Sequence, residues 1–130
     1  MRGQKKIKNT EMTNAEFNDS FRLRTRNFAV GVLTFLGTLP TNTATRVIAY
    51  QLAKSASSVG ANFRAFCRGR SKAEKFSKIC IVVEEADECE YWLEIIREMD
   101  YGVKTEVNHF LTEALEILKI CQKIKTAFSP

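Results

Sequence analysis

The chain repeats apolar residues at helical spacing over most of its length, and it lacks prolines where they would interrupt that pattern. Its two prolines are Pro40 and Pro130, so nothing between residues 41 and 129 removes a backbone donor or forces a break. Four apolar stripes at steps of three and four result. The first runs through Phe17, Phe21, Phe28, Val32, Phe35 and Leu39, with Asn14 as its cap and Pro40 as its stop. A second carries Val47, Ile48, Leu52, Ala56, Val59, Phe63 and Phe66 to about Gly69, capped by Thr41 or Thr43. Ser71 and Glu74 have the capping-box spacing and open a third, whose Phe76, Ile79, Val83, Ala86, Cys89, Leu93 and Ile96 are widened by Val82, Trp92 and Ile95 beyond a two-helix seam. Tyr101 and Gly102 close it. From about Lys104 a fourth helix shows Val107, Phe110, Leu111, Ala114, Ile117, Leu118, Cys121 and Ile124. Short connections then predict an all-α, antiparallel up-down-up-down four-helix bundle over residues 14–130, preceded by a flexible basic segment, residues 1–13.

Within 130 residues one core forms without disulfides or metal. Cys67, Cys80, Cys89 and Cys121 stand far apart with no C-x-x-C pair, which argues against zinc and for free thiols packed as small hydrophobes in a reducing compartment. The apolar run Phe28 to Leu39 is too short to span a bilayer, so no membrane association is expected. Glu106 and His109 have the spacing of one half of a di-iron site, but the chain has a single histidine, so no metal or cofactor is expected. The same lack excludes a nucleophile built on a second histidine, and no Gly-rich phosphate loop is present. A binding or assembly module is expected, not an enzyme.

The second helix is nearly all Ala, Ser, Val and Gly from Ala53 to Ala61, which predicts the closest helix contact at Gly60 and Ala61. Asn62, set among Val59, Phe63 and Phe66, is the candidate for fixing helix register or oligomer state through a hydrogen bond. Trp92 is assigned to core or interface.

The stretch from Ser55 to Leu93 combines a small-residue helix, Asn62-Phe63-Arg64, Arg68-x-Arg70-Ser71, Phe76, the acidic Glu84-Glu85-Ala86-Asp87-Glu88 and the pair Trp92-Leu93. In this it closely resembles the four-helix-bundle proteins encoded in intervening sequences of bacterial 23S rRNA genes, over roughly residues 14 to 127. The resemblance implies a cytoplasmic homopentamer in the form of a ring, without known catalytic activity.

Charge is polarised along the chain. Residues 1 to 78 hold fifteen of the twenty Lys and Arg and four of the fifteen acids, while residues 79 to 130 hold five bases and eleven acids. In an antiparallel bundle Arg22, Arg24, Arg26, Arg64, Arg68, Arg70, Lys72 and Lys75 converge on one pole with Lys78, Lys119, Lys123 and Lys125. Arg64, Arg68, Arg70, Lys72 and Lys75 follow one surface and suit RNA or DNA phosphates. The competing reading is a structural one, in which these cations pair with the acids Glu84 to Glu98 of the same or an adjacent subunit.

Overall fold

A computed structural model describes residues 12–130. Four helices account for nearly all of them: α1 (Asn14–Leu36), α2 (Thr43–Cys67), α3 (Lys72–Glu98) and α4 (Lys104–Phe128). The boundaries follow local chemistry, with some shifts from expectation. Thr13, not Asn14, caps α1, in a full capping box with Glu16. Asn42, between the two expected threonines, caps α2 and exchanges the same reciprocal pair with Thr45. Ser71 caps α3 as expected, but the Glu74 carboxylate reaches back to the Arg70 N–H, so that box is only half made. The α3–α4 turn needs a left-handed backbone at Asp100 and Gly102, and a Cβ on Gly102 would stand 2.8 Å from the Phe35 ring. Residues 1–11 of the expected basic N-terminal segment lie outside the described residues.

The helices form a square in which each packs on two neighbours and neither diagonal pair meets. Their directions follow from which residues are level. Phe21 packs edge-to-face on Phe63 while Thr25 lies against Gly60, so α1 and α2 run opposite ways. Lys75 at the start of α3 touches the last turn of α2, and Arg24 and Phe35 meet α4 at Glu113 and Phe110, which makes those seams antiparallel too. The α3–α4 seam must then be antiparallel as well.

One continuous core fills the square, including Val32, Leu52, Val59, Phe63, Ile79, Leu93 and Ile117. The end holding the starts of α1 and α3 is plugged by aromatic rings: Phe21 on Phe63, Phe63 on Phe66 and Phe66 on Phe128, with centroids 4.8 to 5.5 Å apart. Cys89 and Cys121 are buried within the core, and burial pushes both thiols up, Cys121 to about 12. All four cysteines are free, in keeping with a packing role. No helix among the described residues is long and apolar enough to cross a membrane.

Candidate nucleic-acid interface

The aromatic plug sets the geometry of the surface above it. On the last turns of α2, burying Phe63 and Phe66 turns Arg64 and Arg68 outward, one turn apart, because neighbouring residues on a helix point about 100° apart. Arg70 in the following turn and Lys72 at the start of α3 are exposed beside them. Lys119 and Lys123 are exposed on the later turns of α4, which ends at the same pole. The anticipated convergence of cations therefore forms.

These cations are not equally available. Arg24 is held by α4: its Nε and Nη2 donate to the two carboxylate oxygens of Glu113, each at 2.7 Å, and Nη2 also donates to Glu116 Oε1 at 2.7 Å. This fork holds the Glu113 carboxyl below the usual carboxylate range, chiefly through the hydrogen bonds from Arg24, against the opposing effect of burial. Arg22 pairs with Asp19 one turn earlier on its own helix. Lys75 is turned inward. Its ammonium donates to the carbonyls of Phe66 (3.1 Å) and Cys67 (3.4 Å) at the open end of α2, and it lies 5.0 Å from the centroid of the Phe66 ring. It thus satisfies helix-end acceptors and complements the negative end of the α2 dipole. Arg26, Arg64, Arg68, Arg70 and Lys72 make no ion pair with a carboxylate among the described residues.

Between α1 and α2 an open groove of about 450 Å³ runs toward this pole, with Gly60, Ala61, Ser57 and Ala29 lining it and Arg22, Arg26 and Arg64 around it. At Gly60 the backbone of α2 faces that of α1: a Cβ there would sit 3.5 Å from the Thr25 carbonyl oxygen. Ala61 belongs to the expected small-residue seam by sequence, yet it is exposed and lines the groove. Asn62 is half-buried and spends its amide on its own helix, donating to the Ser58 carbonyl (3.0 Å) and hydroxyl (2.8 Å), so it makes no hydrogen bond that would set register between helices of the described chain. Trp92 is half-buried and stacks edge-on against Tyr91, with its indole N–H 3.4 Å from Glu88 Oε2. Glu106 and His109 are both exposed, and the described residues contain no cluster of His, Cys, Asp and Glu able to hold a metal.

This helical order agrees with one family of known proteins. The family described as 23S rRNA-intervening sequence protein matches residues 22–123. The chain belongs to that family. A solved structure from Bacteroides thetaiotaomicron VPI-5482, described as a protein with unknown function from the S23 ribosomal protein family, is 27% identical, with a TM-score of 0.76 over 84% of this chain and 97% of that one. No curated protein matches. The family match spans parts of all four helices and includes Arg64, Arg68, Arg70 and Lys72.

Proposed function

We propose that this intervening-sequence protein is a non-enzymatic, self-associating helical bundle of the cytoplasm that binds RNA or DNA through phosphate contacts at its basic pole. One observation carries the reading: Arg64, Arg68, Arg70 and Lys72 are exposed close together in sequence without carboxylate partners among the described residues, although carboxylates neutralise Arg22 and Arg24 nearby. Four cations on a rigid scaffold, joined by Lys119 and Lys123 of α4, suit a run of phosphates. They sit on helix ends and a turn, which suits contacts to phosphates more than to base edges, so affinity without sequence choice is the expected behaviour. Lys75 plays a supporting part, holding the α2–α3 turn that presents Arg68 and Arg70.

Reversing Arg64, Arg68 and Lys72 to Glu should abolish retention of RNA and DNA of any sequence at low salt while leaving helix content unchanged. Equal retention by the variant would remove the basic pole from the binding surface. The second reading, a scaffold that assembles without nucleic acid, draws on the exposed α3 acids Glu84, Asp87, Glu94 and Glu98 as partners for such cations in an adjacent copy. Wild-type protein that forms oligomers but retains no nucleic acid would favour it.

A further inference from the structure

The groove between α1 and α2 opens toward the basic pole along a marked path. On α2, Ser57, Ala61, Arg64 and Arg68 follow one another at steps of three and four and all are exposed, so one stripe leads from the groove to the end of the helix. Ala61 stands roughly 10 Å from Arg68 along the helix axis. α1 supplies the other wall, where Leu23 is 53% exposed beside Arg22 and Arg26. Arg26 lies level with Gly60, and Arg22, one turn earlier on the antiparallel helix, is level with Arg64.

The groove thus combines two characters. Its body is apolar, made by Leu23, Ala29, Gly60 and Ala61, and its rim carries guanidinium groups. Arg22 is paired with Asp19, whereas Arg26 and Arg64 have no carboxylate partner among the described residues. A volume of about 450 Å³ is in the range of sites that hold small organic groups. A flat ring attached to an anionic chain meets both demands, because bases stack on apolar side chains and on guanidinium planes while their phosphates pair with the charges beside them.

We propose that the α1–α2 groove takes an unstacked base of a single-stranded nucleic acid, whose sugar-phosphate backbone continues past Arg64 to Arg68 and the pole. The proposal rests on the phosphate binding already proposed and adds the class of strand. A duplex keeps its bases paired and stacked inside, so it can use the pole but enters the groove only by giving up a base pair. The Ser57 hydroxyl both donates and accepts, so the groove favours unpaired bases without choosing among them.

The test measures the affinity of the full chain for fluorescein-labelled oligouridylate and for an abasic strand with the same number of phosphates, with helix content recorded alongside. Wild type should bind the base-bearing strand about tenfold more tightly, the size of one base stack. Ala61→Leu fills the groove at an exposed position without changing charge, and should bring the two affinities together. Its loss on oligouridylate should be several times larger than its loss on a fully paired RNA duplex. Arg26→Gln leaves the groove open, removes one stacking plane, and should narrow the same preference. Uridine monophosphate, which lacks the continuation to Arg68, should not displace the strand at equal concentration; displacement would make the groove a free-nucleotide pocket and overturn the proposal. Equal wild-type affinity for the two strands, a preference that survives either substitution, or equal losses on strand and duplex overturns this proposal alone and leaves phosphate binding at the pole standing. No binding of any probe by wild type overturns it together with the nucleic-acid reading.

Discussion

The two seams that α1 makes are closed by opposite means. Against α2, the glycine at position 60 lets backbone approach backbone, with its absent Cβ only 3.5 Å from the Thr25 carbonyl oxygen. Against α4, a large side chain spans the gap: the Phe110 ring lies on Gly31, where a Cβ would come within 2.9 Å of it. Interaxial distance follows the size of what lies between the helices. A backbone contact draws α1 and α2 together at Gly60, whereas the ring stands between α1 and α4; open grooves flank both seams. The Arg24 fork to Glu113 and Glu116 ties this wider seam electrostatically. The tight seam should therefore respond to added volume, and the wide one to charge.

The sharpest break in that contrast is Gly60→Leu. A Cβ at this buried position would already touch the α1 backbone at 3.5 Å, so the further atoms of a leucine must press against that backbone or turn into the groove, and overpacking there should cost about 1 to 3 kcal/mol in denaturant unfolding. Glu113→Gln acts on the wide seam and has a smaller effect. It removes charge-assisted bonds in a partly exposed site, worth about 1 kcal/mol after solvent screening. Because the folded-state value of Glu113 is lowered, its contribution is complete above the unfolded carboxylate value of about 4.3 and is lost as pH falls through the lower folded value. The gap between wild type and Glu113→Gln should thus be full at neutral pH and close in acid; a gap that widened in acid would contradict this assignment. Smallest is Ala61→Leu. Its neighbour in sequence is buried, but Ala61 faces the groove, so the change should stay within about 0.5 kcal/mol. Equal losses for Gly60→Leu and Ala61→Leu would mean that the whole small-residue stretch is a packing seam.

The helices were legible because a period of three and four residues, unbroken by proline, has few alternatives. Their starts were blurred where good capping residues stand in a row: Thr13 precedes Asn14, and Asn42 lies between Thr41 and Thr43, so composition alone does not choose among them. The small-residue stretch pointed correctly to close packing at Gly60, but the burial of Gly60 and exposure of Ala61 depend on a rotation of one residue against α1. At the basic pole, clustering was legible and availability was not. Arg24 is neutralised by carboxylates far along the chain on α4, and Lys75 is drawn inward by the carbonyls that α2 leaves open beyond Phe66. Asn62 satisfies its amide one turn back at Ser58, a local partner that its apolar neighbours in sequence concealed.

The central claim, that Arg64, Arg68, Arg70 and Lys72 engage phosphates, is tested most directly by the salt dependence of RNA affinity. Wild-type affinity should fall steeply on a logarithmic salt axis, and Arg68→Gln with Lys72→Gln should weaken binding and reduce that slope by about two, one for each phosphate contact removed. An affinity insensitive to salt, or a slope unchanged in the double variant, would contradict the claim.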